Sequence, residues 1–581
     1  MNPPNCCLSL WHQLTFNRNR WVGPCMASAL QHSWRAFWVA LVVILAPQTA
    51  LGDLSAVNLS ELRNKLAQVD AELTQDLNGL VDVDAIWSRL SVSAPVQFPA
   101  LPTVPSAAPK PATSFLFGDA PKHAGSSAAP NPAGALFGLP PTAPAPAVIA
   151  PLFGQIGAEP DPQTVAVDVG TVNFRIFLAS LAQVYTGENN QAVVNAQGPA
   201  GPVALSVRSG IVTLQDLQSF SALHGRPPRI DGTLTMPVVI WPDAQLRLNP
   251  GDRLALARDT GAFVLSMGTL NISGATIEVA GQENSFTPSF VPFVTVTGGG
   301  SLTAQNATFR GLGFGNTAKF SGLSVAGDLL NQGKGRVVIK DSRLEALKVV
   351  SLVNVEGAEL SGNTFFDSRN NTLNLVNAPR TQVDGNLFAG QSPTNAIRVD
   401  QGSSHSQISK NIFLNGERVA VLVDRGSDHV DVQHNLVWQR AGAGVKFLSN
   451  RCGLAEGNLI VDNDQKGIEV RKSDGTVVRD NLIVGNGSAG VWVSAQQHDA
   501  RTSVTGNVFS ANGAGLAAAT GAEIQIANNS FGKQLPRLLD GDIARLTGAV
   551  ARDLKGETMV RLKQGQAETL NQMTALCGSG S

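Results

Sequence analysis

From Gly362 to Phe531 the chain repeats one arrangement of apolar and polar positions. The strings "GNTFF", "GNLFA", "KNIFL", "HNLVW", "GNLIV", "DNLIV", "GNVFS" and "NNSFG" place Asn at 363, 386, 411, 435, 458, 481, 507 and 529, in steps of 23, 25, 24, 23, 23, 26 and 22. Each unit holds two or three short alternating strands separated by Gly, Asn or Asp turns. A period in the low twenties predicts one turn of a right-handed parallel β-helix, with coils stacked about 4.8 Å apart. The Asn column predicts a turn ladder, since Asn tolerates the left-handed conformation and can bond to its copies in adjacent coils.

The strand before each Asn-bearing turn aligns by its alternation as "AIRVD", "AVLVD", "GVKFL", "GIEVR" and "GVWVS". Side chains along a strand point to opposite faces. Ile397/Val399, Val421/Val423, Val445/Phe447, Ile468/Val470 and Val491/Val493 therefore point inward. Arg398 and Asp400, Leu422 and Asp424, Lys446 and Leu448, Glu469 and Arg471, and Trp492 and Ser494 point outward. Stacking turns the outward set into one strip carrying both charge signs. His405 and His429 each precede their Asn by six residues and should be near neighbours.

Such a strip suits a linear polyanion, because each sugar carboxylate can meet an Arg or Lys and successive coils repeat the contact. Arg398, Lys446, Glu469 and Arg471 are the candidate substrate-binding residues, with Trp492 as an apolar platform for a sugar ring. The alternative is a solvated face with local ion pairs.

The flanks differ in character. Residues 1–52 read as a secretory leader: the apolar run Ala36–Ala46 is too short to span a bilayer, and "ALG" precedes Asp53. Met26 would give a leader of ordinary length, and an uncleaved anchor is the rival reading. Residues 53–92 carry Leu59, Leu62, Leu66, Val69, Leu73, Leu77 and Leu80 at helical spacing, which predicts a helical segment. Residues 93–165 are a Pro/Ala-rich linker that cannot bury a core, and "LFG" recurs there at Leu116–Gly118, Leu136–Gly138 and Leu152–Gly154. These tripeptides suggest docking motifs for assembly proteins, against chance recurrence in a biased segment. Residues 166–234 would form an N-terminal capping region, 235–535 the β-helix, and 536–581 a helical cap over the last coil.

Composition narrows the setting. The net charge of −1 gives no pull toward nucleic acid. The 58 Gly, 32 Pro and 6% aromatic content favour turns and repeats over a bulky aromatic core. Cys6, Cys7 and Cys25 lie in the leader, which leaves Cys452 and Cys577, too few for a disulfide framework. No His/Cys cluster has zinc-ligand spacing, there is no calcium-binding nonapeptide repeat, and no cofactor is called for. The expected compartment is the periplasm, with no membrane span once the leader is cleaved.

Three stretches carry a family resemblance. "ARDTGAFVLSMGTLNISGATIEVAG", "FVPFVTVTGGGSLTAQNATFRGLGF" and "FSGLSVAG" closely resemble the periplasmic mannuronan C5-epimerases of alginate biosynthesis. Those proteins share a "GAF" strand, a "RPF" segment, a Gly-rich turn and a "SRF…LGY" strand in this order. The later unit "KGIEVRKSDGTVVRDNLIVGNGSAGVWV" looks like that family's carbohydrate-binding repeats, so the likeness runs from about Val212 to Asn529.

The resemblance implies inversion of C5 in a polymer-bound mannuronate. The C5 proton lies α to a carboxylate, which must be neutralised to stabilise the carbanion-like intermediate. One group removes the proton and another returns one from the opposite face. If the intermediate instead expels the 4-linked sugar, the same machinery is a lyase. The family's D-P-H-D signature falls on "RVDQ", Arg398–Gln401, where Asp400 matches a carboxylate but the Pro and His are missing. Arg425 falls where the family keeps its carboxylate-neutralising Arg. The catalytic candidates are Asp400, Asp424, Arg425, His405 and His429, the histidines only if the turn brings them over the strip. Tyr185, the single Tyr, precedes the β-helix and is a poor candidate for the second proton donor. Two functions stay open: a uronan C5-epimerase with an altered site, or a non-catalytic polysaccharide-binding scaffold of an exopolysaccharide assembly complex.

Overall fold

The structure is a computed structural model, and it describes residues 166–178, 190–283, 289–314, 320–327 and 335–577. The expected leader, helical segment and LFG linker, and Tyr185, lie outside the described residues.

The alternating segments form a three-sided parallel β-helix. One strand per coil stacks into a twelve-stranded sheet, here the third. The other two strands of each coil stack into the first and second faces, which join through the long strand Val238–Leu248 because it pairs with both Val264–Ser266 and Thr269–Ser273. In the first sheet Leu373–Val376, Ile397–Asp400, Val421–Asp424, Val445–Leu448, Lys466–Arg471 and Ala489–Ser494 pair in parallel succession. The register matches the alignment of outward positions: Asn374, Arg398, Leu422, Lys446, Glu469 and Trp492 form one column. Asp400 aligns with Val376, and Asp424 with Leu448, Arg471 and Ser494, in a second column two residues on. All ten residues expected to point inward are fully buried.

Two devices hold the coils in register besides the strand ladders. Phe365, Phe388 and Phe413 stack inside the helix with ring centroids 4.6 and 4.8 Å apart. The Asn column runs unbroken from Asn363 to Asn529, each side-chain Nδ2 and backbone N–H donating to the Oδ1 of the next Asn at 2.9–3.0 Å. The left-handed conformation expected of these Asn residues falls instead on the residue before each one, such as Lys410, His434 and Asp480. Asn is therefore required for its amide and not for its backbone. A second ladder, Asn463–Asn486–Asn512–Gln534, lines another corner.

The N-terminal coils are closed on two sides. Strand Asp168–Asn173 pairs antiparallel with Val203–Val212, and helix Leu214–Leu223 buries Leu217 against the core. That helix starts at a capping box between Thr213 and Asp216. Over the outward side of the first sheet lies an apolar cluster of Phe174, Phe177, Phe263, Phe290, Phe293, Phe314 and Phe320, packed on Val239, Leu265, Ala326 and Val353. The Phe residues of "GAF", "VPF" and "LGF" all belong to it, with Phe263 and Phe293 stacked at 4.8 Å. The block that carries the resemblance thus builds an apolar cover. Beneath it the outward column carries the buried Thr295, Ser324 and Ser351, and its polar side chains reach the surface from Asn374 and Arg398 onward.

At the other end the segment read as helical has two short helical turns, Ala544–Leu546 and Thr547–Ala551. An antiparallel hairpin, Val560–Lys563 with Gln566–Thr569, then pairs with Glu523–Ala527 and closes the second sheet's edge. A disulfide joins Cys452 to Cys577, so the two remaining cysteines do pair even though they make no framework.

Candidate functional site

Strands Ile397–Asp400 and Val421–Asp424 bring four of the candidates together. Arg398 donates from Nε to Asp400 Oδ2 at 2.9 Å and from Nη2 to Asp424 Oδ2 at 3.0 Å. Arg425, the first residue of the corner after its strand, donates from Nε to Asp400 Oδ1 at 2.6 Å and from Nη2 to Oδ2. The Arg425 backbone N–H donates to Asp424 Oδ1 at 2.8 Å. Asp400 is almost wholly buried, while the Arg425 side chain is 52% exposed. Burial pushes the Asp400 carboxyl up, but the hydrogen bonds from Arg425 and Arg398 outweigh it and hold the group below the usual carboxylate range. The Asp400 bond in turn raises the Arg425 guanidinium. Both arginines expected to neutralise a sugar carboxylate therefore already hold protein carboxylates.

A second charged group lies two coils on, beyond the buried Leu422. Glu469 accepts from Lys446 Nζ at 3.1 Å, and Lys466 Nζ stands 3.9 Å from its other oxygen. Lys466 also sits 5.7 Å over the Trp492 ring, a cation–π contact that fixes the indole on the open side of the strip. Arg471 is exposed and, unlike the other first-face cations singled out by the sequence, makes no ion pair among the described residues.

His405 and His429 stack in parallel with ring centroids 4.9 Å apart. They stand at the far side of the corner from Arg425, next to the second sheet and not over the first-face strip. Among the described residues no hydrogen bond or ion pair links them to the Arg–Asp cluster. His405 lines a cavity of about 340 Å³ with Arg380, Gln382 and Gln407. The column Gln382, Gln407, Asp431 runs beside it. Asp431 is half-buried, and burial followed by the nearby Glu456 pushes its carboxyl up against the opposing pull of His429 and His405. From sequence Asp431 reads as a solvated residue on the outer face of the next strand, although aligning "TQVDGN", "SQISKN" and "VDVQHN" on their Asn exposes the whole column. Lys466 was missed as well, because it precedes the aligned strand core.

Left-handed backbone at Arg425, His405 and His429 is no mark of a site. The same conformation recurs at corner after corner along the helix. Among the described residues no group of three or more His, Cys, Asp or Glu could hold a metal ion, and no helix is long and apolar enough to cross a membrane.

Comparison with known proteins agrees with the fold. The family described as "Right handed beta helix region" matches residues 293–454 and 350–531. A mannuronan C5-epimerase of Pseudomonas putida is 23% identical over 384 residues, covering 59% of this chain and 72% of the relative. Crystal structures of two variants of the periplasmic alginate epimerase AlgG superpose with TM-scores of 0.53 and 0.52. They are 18% and 19% identical and cover 68% of this chain and 98% and 99% of theirs. The chain is a right-handed parallel β-helix that resembles the mannuronan C5-epimerases in sequence and the alginate epimerase AlgG in fold.

Proposed function

We propose that this chain is a periplasmic uronan C5-epimerase acting on a linear polyuronate during exopolysaccharide biosynthesis. One observation carries the reading: Arg425 and His429 are both exposed on the single corner turn that follows strand Val421–Asp424. A sugar ring lying across this corner meets a guanidinium on one side and an imidazole on the other.

Asp400 and Asp424 act as positioning residues. By holding Arg425 and Arg398 they fix the guanidiniums before substrate arrives, so charge building on the sugar carboxylate meets donors already in place. His429, backed by His405, takes the C5 proton, and the carbanion-like intermediate spreads its charge onto the carboxylate. A proton returned to the opposite face of C5 gives the epimer, with no net change of atoms. The linker and helical segment outside the described residues would hold assembly proteins, and deleting 53–165 should abolish their recovery in a pull-down.

The test is solvent deuterium at C5 of polymannuronate. Wild-type protein should incorporate it, and Arg425→Ala or His429→Ala should reduce incorporation by at least about a hundredfold, the usual worth of general acid–base catalysis. No incorporation into any uronan would end the enzymatic reading.

One finding favours a second reading, a non-catalytic polysaccharide-binding scaffold. The guanidiniums of Arg398 and Arg425 are committed to Asp400 and Asp424, and the imidazoles lie across the corner from the strip. Under this reading polyuronate binds, His429→Ala leaves binding unchanged, and no deuterium enters C5.

A further inference from the structure

The third sheet lacks the alternation of apolar and polar positions seen on the first. Its strands Leu436–Trp438, Leu459–Val461 and Leu482–Val484 read "LVW", "LIV" and "LIV", apolar at every position. Val437, Ile460 and Ile483 belong to the inner core. Leu436 and Trp438, Leu459 and Val461, and Leu482 and Val484 therefore point outward. An uninterrupted apolar run is the mark of a strand buried on both faces. All six outward side chains are indeed buried, the first four to 2% exposure or less. The Trp438 indole Nε1 is buried as well and has no hydrogen-bond partner among the described residues. An indole N–H can only donate, so it calls for an acceptor on the outer side of the sheet.

This apolar stretch has polar borders. Towards the N-terminus the outward column of the same sheet is a charge ladder of Glu278, Arg310 and Glu345, with Arg310 Nε donating to Glu345 at 2.8 Å. Towards the C-terminus it runs into Ser510 and Lys533. From Leu387 to Val484 the stretch crosses successive strands over about 19 Å, at about 4.8 Å per coil. A contiguous outward apolar face of this size marks a contact surface. The helices among the described residues pack elsewhere. Asn190–Asn195 joins the aromatic cluster, Leu214–Leu223 lies against Val203–Val212 and Val238–Leu248, and Thr547–Ala551 lies against Ala544–Leu546.

We propose that the third face is the docking site of the chain's own leucine-rich segment, residues 53–92. Leu59, Leu62, Leu66, Val69 and Leu73 recur three and four apart, which makes one apolar stripe on a helix. Glu61, Lys65, Gln68 and Glu72 fall between them. Such a helix must bury its stripe against another element, and the third face is the outward apolar surface of matching shape. As a helix, Leu59–Leu77 is about 27 Å long, enough to cross the whole stretch. Residues 93–165 lead from the segment to Ala166, and at about 3.1 Å per residue they reach over about 200 Å, so the connection sets no limit. Docking there leaves Arg398 and Arg425 on the first face uncovered and tethers the three LFG tripeptides of the linker at both ends. The inference does not depend on the polyuronate reading.

Hydrogen exchange of the full chain tests the docking. Amides of residues 59–77 should exchange about tenfold or more slowly compared with the same residues in Leu62→Glu/Leu66→Glu/Val69→Glu, which spoils the stripe. The triple variant should also bind an apolar-surface dye that wild type does not, while the strands from 436 to 484 keep their protection and show the fold intact. Val484→Lys, at the edge of the face, should speed exchange of 59–77 in the same direction. Unprotected amides at 59–77 in wild type would overturn the proposal, and so would a triple variant that keeps both the protection and the low dye binding. Sedimentation of the same samples separates the remaining occupant. Protection in a monomer supports docking within one chain, whereas protection that disappears as a dimer dissociates on dilution would give the face to a second copy and overturn it.

Discussion

Arg425 grips Asp400 across one coil, its Nε donating to Oδ1 at 2.6 Å and its Nη2 to the other oxygen. The fork-to-fork geometry is the strongest that a guanidinium and a carboxylate can adopt. Here it joins a nearly buried acid to a half-exposed base.

Asp400→Asn tests that grip through acid unfolding. The Asp400 carboxyl titrates below its ordinary range in the folded protein. Its stabilisation is therefore complete above the ordinary carboxylate pKa of about 3.9 and disappears as pH falls through the lower folded value. We expect wild type to exceed the variant by about 2 kcal/mol from pH 5 to 8, the worth of a hydrogen bond to a charged group, and to converge with it below about pH 4. A difference that is flat down to pH 2 would show that Asp400 is not held ionised by its arginines.

Asn458→Ala should destabilise the helix without touching the strip. The Asn458 amide donates to Asn481 Oδ1 and to Val432 O, and its own oxygen accepts from Asn435, all in the interior. Truncation strands several buried groups, each at about 1–3 kcal/mol. A lowered denaturation midpoint with unchanged polyuronate binding is expected. An unchanged midpoint would mean that water replaces the ladder at that step.

Much of this was legible beforehand, because a strand's period of two leaves little freedom. Val421 and Val423 had to point inward once Leu422 and Asp424 pointed out, and both are fully buried. The Asn period set the coil length and through it the stacking of His405 on His429. What the sequence could not supply is where long side chains end. Arg425 aligns with a family position, yet its guanidinium turns back one coil to Asp400, a choice made by a carboxylate 25 residues away. The histidines sit after the strand, and a corner of six residues carries them round to the next face. The left-handed residue and the ladder Asn are adjacent in sequence, so periodicity alone could not assign the two roles. No spacing rule pairs Cys452 with Cys577, which are 125 residues apart.

Cys577→Ser should loosen the C-terminal tail selectively. The tail is tied by the disulfide and by the Thr574 N–H donating to Gln525 Oε1 at 3.1 Å, and Leu576 is buried beside them. Gly475, at φ +67°, leaves the space that Cys577 Sγ occupies, and a side chain there would collide with it. Closing 125 residues removes unfolded-state entropy worth about 5 kcal/mol in the chain-entropy treatment, an upper value. We expect a lower denaturation midpoint and proteolysis near residues 570–577, with reduced wild type behaving like the variant. Equal midpoints for oxidised and reduced wild type would contradict a structural role for the bond.

Glu469→Gln separates two uses of the strip. Sequence alignment makes Glu469 an outward residue and a candidate substrate contact, but its carboxylate is nearly buried between Lys446 and Lys466. A polyanion approaching this patch sees two cations already discounted by one acid. Removing the acid's charge frees both ammonium groups, and the patch goes from a net charge of +1 to +2, counting Lys446, Lys466 and Glu469. Polyuronate binding should then tighten severalfold at low salt and become more salt-sensitive, since exposed charges are screened over a Debye length of about 10 Å at 0.1 M. Trp492 should keep its place, because the Lys466 contact to its ring does not depend on Glu469. Weaker binding in Glu469→Gln would instead mean that the carboxylate accepts hydrogen bonds from sugar hydroxyls directly, so that the lysines serve to hold it and not to hold the polymer.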